Sequence, residues 1–195
     1  MTADAELIGW SLAGNDDAFV QVVRRHAAAV SAYLVRRAGR AFAEDLLGEV
    51  WVAAFGSRSS YDRSFLDARP WLFGIARNAL RAHWRHRPDE ETEPDPATMA
   101  ALVDPWIEVD DRIDGAALMR RVLARLPAQE REVLLLVVWE QLSIADAGRS
   151  LGMPAGTARY RLHHARMALR NDPRMVAILE EFRKTDVHMT IKEAR

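Results

Sequence analysis

The sequence predicts an all-α protein made of two helical domains joined by a flexible acidic linker. Apolar residues recur at helical spacing on both sides of the linker, and no segment alternates in the manner of a strand. Residues 88–115 interrupt this helical pattern. They are rich in proline and acidic side chains, a composition that cannot bury a core. We therefore expect a helical bundle at 1–87, the linker at 88–115, a second helical domain at 116–170 and an extension of unknown role at 171–195.

The first domain is predicted to contain three helices. Apolar residues between Ala18 and Leu34 fall on one helical face, and a second helix runs from about Ala43 to Phe55. The third helix follows Pro70, since proline is favoured in the first turn. The segment between the last two helices, from Gly56 to Arg69, is rich in Ser, Asp and Arg and predicts a loop.

The second domain has the helix start and stop signals of a helix-turn-helix. Ser143 followed three residues later by Asp146 is a capping signature, so a short helix begins there. Residues 151–153 predict the turn, and Pro154 starts a final helix that continues to about Arg170. The same arrangement also occurs as a plain three-helix packing unit, which the pattern alone leaves open.

The last helix of this domain divides into a buried face and a polar face. Its apolar positions are Ala158, Leu162, Ala165 and Leu169. The outward positions are Gly156, Tyr160, His163 and His164, flanked by Arg159, Arg166 and Arg170 on one side and by Thr157 and Arg161 on the other. An α-helix fits the DNA major groove, where outward groups reach base edges and flanking arginines pair with phosphates. The pattern therefore favours DNA binding.

The charges are segregated along the chain, although the net charge is only −1. Residues 1–87 hold 12 arginines against 9 acids, 88–115 hold one against 10, and 116–170 hold 9 against 4. Two basic blocks separated by an acidic one are typical of two modules that each face a polyanion. An ordinary charged surface is the alternative.

Composition narrows the remaining classes of function. The chain has no cysteine, which excludes a thiolate metal site, and its acidic start lacks the pattern of a signal peptide. No apolar run is long enough for a membrane span, so we expect a cytoplasmic protein without membrane insertion. His83, His86, His163 and His164 lie among arginines without a carboxylate cluster or a glycine-rich phosphate loop. We expect no enzyme, no cofactor and no metal.

Several runs resemble extracytoplasmic-function (ECF) sigma factors of the sigma-70 family. The runs at 126–136 and 151–166 are similar to region 4 of that family, the run at 43–55 to region 2.2, and the run at 68–78 to regions 2.3 and 2.4. The resemblance implies a factor that directs core RNA polymerase to promoter DNA, recognises −35 and −10 elements and initiates melting. It also implies an anti-sigma factor as a partner.

The resemblance assigns three groups of site residues. Polymerase docking would use Asp45, Leu46 and Glu49. The −10 element would meet Tyr61, Arg63 and Phe65 in the loop, one of which captures a flipped base, and Trp71, Arg77, Asn78, Arg81, Trp84 and Arg85 on the following helix. The −35 element would meet Gly156, Thr157, Arg159, Tyr160, Arg161, His163, His164 and Arg166.

Two alternatives stay open at this point. Phe65 and Trp71, taken singly, are more often core residues than contacts to nucleic acid. A helix-turn-helix regulator that acts without polymerase would share the second domain but would have no use for the first. The run at 43–55 discriminates the two, because only a sigma factor needs it. Gly48 stands in that run where the family usually has glutamine, which weakens the helix by about 1 kcal/mol relative to alanine.

Overall fold

The computed structural model describes residues 2–85 and 122–171, and all regular structure within these two ranges is helical. The helices whose full extent is described are α1 Asp4–Leu12, α2 Asp16–Ala38, α3 Arg40–Gly56, α4 Arg69–Arg85, α5 Ala128–Val138, α6 Ile144–Leu151 and α7 Ala155–Asn171, with a 3-10 turn at Arg58–Ser60. Residues 122–124 are helical as well. The all-α prediction is confirmed. The predicted acidic linker and the extension beyond residue 171 lie outside the described residues.

Helix α1 was not predicted, and it completes the first domain. Leu7 and Ile8 are fully buried against the other helices. The carboxylate of Asp4 is also buried, where it pairs with Arg25, lies 2.7 Å from Nε2 of His26 and accepts a hydrogen bond from the Ala68 amide at 2.8 Å. These bonds fix α1 to α2 and to the start of α4. Asn15 then caps α2 by accepting from the Ala18 amide.

The core of the first domain lies between α2, α3 and α4. Leu34, Leu46 and Leu72 are each at most 1% exposed, and the rings of Tyr33 and Phe73 stack with centroids 5.0 Å apart. Burial of large side chains from all three helices is the dominant stabilising contribution to such a bundle. This core fixes the position of α3 relative to α4, so the face of each helix that is not buried points outward.

The second domain folds as the predicted helix-turn-helix. Ser143 caps α6 by accepting from the Asp146 amide at 3.1 Å, and its hydroxyl donates to the Asp146 carboxylate at 2.6 Å. Gly152 ends α6 in the left-handed conformation, with φ 65° and ψ 35°, which glycine adopts without strain. A core formed by Val133, Leu134, Ala158, Leu162 and Ala165 seats α7 on α5. The polar face of α7 is thereby turned away from the domain.

The two domains pack against each other through α4 and α6. The hydroxyl of Ser150 on α6 donates to the Pro70 carbonyl oxygen at 2.8 Å in a buried position. Leu136, Leu142 and Ala147 of the second domain join the apolar core of the first. Shared apolar burial and a buried polar bond together make this a defined contact between the domains.

Ion pairs border this contact. Glu140, whose side chain is 2% exposed, accepts from Arg37 at 3.3 Å and pairs with Arg36 as well. Arg77 Nε lies 3.2 Å from the Glu132 carboxylate in a partly exposed position. Burial alone would lower the pKa of Arg37, but Tyr33 and the two glutamates raise it above its usual value, so the guanidinium stays charged.

No helix within 2–85 or 122–171 is long and apolar enough to cross a membrane.

Candidate nucleic-acid and polymerase interfaces

Helix α7 presents a cationic surface free of acidic residues. Six of the predicted −35 contacts are exposed: Gly156, Arg159, Tyr160, His163, His164 and Arg166. Thr157 and Arg161 are half-buried at its edge. No acid occurs between Ala155 and Asn171, so the whole helix offers a positive field to a polyanion.

An aromatic cluster stands at the centre of this surface. Tyr160 is 62% exposed, an unusual placement for a large ring, and its centroid lies 4.2 Å from that of His164. The rings of His163 and His164 follow at 6.0 Å. Rings held together on an outward helical face can contact base edges and thymine methyl groups in the major groove.

The predicted −10 loop is ordered by its own side chains. Tyr61 is 6% exposed, its ring packs 5.3 Å from that of Trp71, and its hydroxyl donates to the Phe65 carbonyl oxygen at 2.5 Å. Burial raises the pKa of Tyr61 to about 12, so the phenol keeps the proton that it donates. Tyr61 therefore holds the loop in shape, and the exposed members of the loop include Arg63 and Leu66.

The second domain covers part of this loop. The guanidinium of Arg149, on α6, lies 3.6 Å from the centroid of the Phe65 ring. An open cleft of about 450 Å³ runs between the domains beside it, with Trp71, Asn78 and Arg149 among its walls. Phe65 and Trp71 are each half-buried, so each combines packing with a remaining accessible edge.

Helix α4 carries the other predicted −10 residues in different environments. Asn78, Arg81 and Arg85 are exposed, and Arg85 Nε donates to the Arg81 carbonyl oxygen at 3.2 Å. Trp84 is half-buried, with its ring edge-on to Phe42. Arg77 is engaged by Glu132, so of the predicted cations on α4 it is the one whose charge is already paired.

The predicted polymerase residues separate into two environments on α3. Asp45 and Glu49 are exposed, whereas Leu46 is 1% exposed and lies in the core. Leu46 therefore has no surface to offer a partner in this structure, because the helical turn directs it inward. Val52 is 76% exposed and lies on the same helical face as the two acids, three residues after Glu49 and seven after Asp45. That spacing was visible in the sequence and marks one helical face.

An exposed cationic helix in a helix-turn-helix, beside a domain whose helix α3 exposes acidic and apolar side chains, is typical of a protein that binds DNA together with another macromolecule. Family models place the chain more closely. The model for Sigma-70 region 2 matches residues 22–88, and that for Sigma-70, region 4 matches residues 116–169.

Curated relatives agree with the family models. The ECF RNA polymerase sigma factor SigF of Caulobacter vibrioides is 36% identical over 141 residues, which cover 71% of this chain and 75% of that protein. The ECF RNA polymerase sigma factor SigM of Mycobacterium tuberculosis is 31% identical over 169 residues, or 86% of this chain and 83% of that protein. The chain belongs to the ECF family of RNA polymerase sigma factors.

Solved structures share the fold. CnrH in complex with the cytosolic domain of CnrY matches with a TM-score of 0.61 at 24% identity, covering 91% of this chain and 97% of that one. The sigma factor RpoE in complex with the anti-sigma factor NepR, from Bartonella quintana, matches with a TM-score of 0.57 at 22% identity, covering 82% and 97%. At these identities the likeness extends to the fold.

Family membership establishes what the chain does. It is a sigma factor, a non-catalytic subunit that gives RNA polymerase promoter recognition and transcription initiation. The alternative of a helix-turn-helix regulator without a polymerase is therefore rejected, because region 2 matches as well as region 4.

Proposed function

We propose that α7 reads the −35 element in the major groove, while the 57–68 loop and α4 read and open the −10 element. The exposed cationic face of α7 is the observation that carries the first assignment. Arg159, Tyr160 and His163 lie toward the amino-terminal half of that face, where recognition helices contact bases. Arg166 and Arg170, further along, would hold phosphates.

At the −10 element the loop would capture one base extruded from the duplex. Extrusion costs a few kcal/mol, which contacts in the pocket must offset. Tyr61 fixes the loop by its hydrogen bond to the Phe65 carbonyl, while Arg63 is exposed and able to meet the strand. Asn78, Arg81 and Arg85 would bind the neighbouring phosphates, and the accessible edges of Trp71 and Trp84 would stack on unpaired bases.

Polymerase docking would fall on the outward face of α3. Asp45 and Glu49 supply negative charge, and Val52 adds an apolar contact between them and the end of the helix. Apolar anchors bordered by charges are the usual composition of a protein interface. Leu46 would support this face from below, as part of the core.

The domain contact described above would have to open before both elements are bound. Elements centred near −35 and −10 lie about 25 base pairs apart, or about 85 Å along straight duplex at about 3.4 Å per pair. Two domains that pack together and contain about 130 residues in total span only about 40 Å. Arg77 and Phe65 would also be released from Glu132 and Arg149 on opening.

An anti-sigma factor is the further partner that we propose, and it would stabilise a closed arrangement against the polymerase. The chain would act in the cytoplasm, where RNA polymerase and promoter DNA are found. The Bartonella quintana relative binds an anti-sigma factor, which supports the proposal by likeness of fold.

Reconstitution tests these assignments. Wild-type chain mixed with core polymerase should co-elute in gel filtration and direct transcripts from a genomic library. Asp45→Lys with Glu49→Lys should lose co-elution, because two charges on the docking face are reversed. Asp16→Lys with Asp17→Lys, which reverses two exposed acids on α2, is the matched control and should co-elute normally. Equal loss in both double variants would remove α3 as the docking face.

A further inference from the structure

A small cavity of about 110 Å³ lies between the two domains, and Arg81 and Trp84 at its wall also belong to the surface assigned above to the −10 element. Tyr33 and Trp84 of the first domain and Leu135 and Trp139 of the second form part of its wall. The arginines that line it are Arg36, Arg37, Arg77, Arg81 and Arg131. Glu132 is the acid among the described lining residues, and Glu140 pairs with Arg36 and Arg37 beside it. Among the described side chains, Arg36, Arg37, Arg77 and Arg81 stand against two glutamates, which leaves an excess of positive charge.

Arg37 is the most deeply placed of these cations. Its Nη1 donates to Glu140, and its guanidinium carbon lies 3.7 Å from the centroid of the Tyr33 ring. Its Nε and Nη2 are buried and have no hydrogen-bond partner among the described residues. These two nitrogens carry the parallel N–H groups along one edge of the guanidinium, the fork that matches two oxygens of a phosphate or carboxylate.

An unpaired fork at the wall of a cavity offers a binding position to an acceptor from solution. Each buried donor left without an acceptor destabilises the folded chain, and arginine cannot relieve that cost by losing a proton. The neighbouring Arg36 repeats the feature, since its Nε is also buried and has no acceptor in the described part of the chain. Glu140 alone cannot satisfy both guanidinium groups, so the cluster as a whole lacks acceptor oxygens.

Size and charge select the ligand. A cavity of this volume has room for several waters, and therefore for one tetrahedral oxyanion. A dianion suits the excess of positive charge, and arginine forks bind phosphate in two-point geometry.

We propose that this cavity is a binding site for a phosphate-sized oxyanion, either inorganic phosphate or the phosphate group of a small metabolite, held by the Nε and Nη2 fork of Arg37. Because both domains form its wall, the bound anion would join them and favour the closed arrangement. The proposal rests on Arg37, which has no part in the promoter assignments, so a failure to bind phosphate would leave the proposed function standing.

Isothermal titration of the full chain with inorganic phosphate, at ionic strength matched with sodium chloride, tests the site. Wild-type chain should bind one equivalent in a saturable manner. Arg37→Lys keeps the charge that faces Glu140 but loses the fork, so affinity should fall by about tenfold or more. Arg24→Lys is the matched control, since Arg24 is exposed on the same helix, and it should bind like wild type. Circular dichroism confirms that each variant is folded.

Two further arms make the result decisive. Arg81→Gln removes an exposed cation of the rim and should weaken binding severalfold without affecting folding. Glucose 6-phosphate compared with inorganic phosphate identifies which source of the anion the cavity prefers. No saturable binding, or binding that Arg37→Lys leaves unchanged, would overturn the proposal. Arg37-dependent binding of a non-promoter oligonucleotide without any binding of phosphate would overturn it too, because the cluster would then belong to DNA.

Discussion

The guanidinium of Arg63 lies directly against the backbone of Gly9. A Cβ atom built on Gly9 would stand 2.6 Å from Nη2 and 2.8 Å from Cζ of Arg63, closer than real side chains approach. Helix α1 thus offers a bare backbone surface on which the side chain of Arg63, in the predicted −10 loop, rests. The glycine is costly in the middle of a helix, which indicates that the close approach is what it provides.

Gly9→Ala should therefore separate stability from promoter opening. The substitution should raise the free energy of unfolding by up to about 1 kcal/mol, because alanine is the better helix former. It should also displace Arg63, and we expect open-complex formation at a strong promoter to fall severalfold. Urea denaturation measures the first effect, and potassium permanganate footprinting with reconstituted polymerase measures the second.

Gly48→Ala is the matched control for stability. A Cβ atom there meets nothing within 4 Å, so the helical gain should appear without any displaced side chain. Arg63→Ala should reproduce the opening defect, and adding Gly9→Ala to it should cause no further loss. Independent, additive losses would show that Gly9 does not act through Arg63.

Sequence periodicity predicted the elements whose faces are plainly divided. Helix α7 follows from apolar residues at positions 158, 162, 165 and 169, and α6 from the Ser143 cap, because capping and burial act within a few residues. Helix α1 was missed, since it is nine residues long and its decisive contacts are distant. The Asp4 carboxylate finds its partners at His26 and Ala68, which no local pattern can indicate.

Site residues were predicted by type more readily than by exposure. Leu46 and Tyr61 share motifs with true surface residues, but tertiary packing turns both inward. Val52, which we propose as part of the docking face, was not among the predicted residues, because an exposed valine carries no signal by itself. The contact of Glu140 with Arg36 and Arg37 joins positions more than 100 residues apart, so only the folded chain reveals it.

Glu140→Gln should destabilise the domain contact far more than Glu132→Gln. Removing the buried Glu140 charge leaves Arg36 and Arg37 uncompensated, and breaking a buried pair costs about 3–5 kcal/mol. The Arg77–Glu132 pair is partly exposed, so its loss should cost at most about 1 kcal/mol. Urea denaturation gives both values, and energy transfer between dyes on α1 and α7 should report separation of the domains in Glu140→Gln. Similar effects of the two variants would mean that Glu140 is solvated in solution.

Asp4 should make the first domain sensitive to acid. Burial alone would raise the pKa of Asp4, but hydrogen bonds from His26 and the Ala68 amide, with Arg25 nearby, hold it below the ordinary 3.8. A carboxyl with a lowered folded-state pKa contributes stability that is complete above about pH 4 and is lost as pH falls through the folded-state pKa. Asp4→Asn should therefore lower the free energy of unfolding at neutral pH and flatten its decline in acid, as measured by urea denaturation at a series of pH values.

Asp62→Asn provides the comparison for Asp4. Hydrogen bonds from Ser64 also lower the pKa of Asp62, but its side chain is exposed and solvent screens its interactions. Its substitution should leave the acid arm of the stability curve close to that of wild type. A curve for Asp4→Asn that coincides with that of Asp62→Asn would show that the buried cluster contributes nothing to acid sensitivity.

Arg159 and Arg170 should affect promoter binding in different ways, although both are exposed arginines on α7. Arg159 lies one turn into the helix, where a two-point contact with a guanine is within reach, so Arg159→Ala should cost about 1–3 kcal/mol of discrimination between −35 sequences. Arg170 lies at the far end and would meet the phosphate backbone, so Arg170→Ala should weaken binding to all sequences equally and make it less dependent on salt. Competition of holoenzyme among promoters with single −35 substitutions, repeated at two salt concentrations, measures both quantities. Uniform weakening by Arg159→Ala would reassign that residue to the backbone, and base selectivity would then rest on Tyr160 and His163.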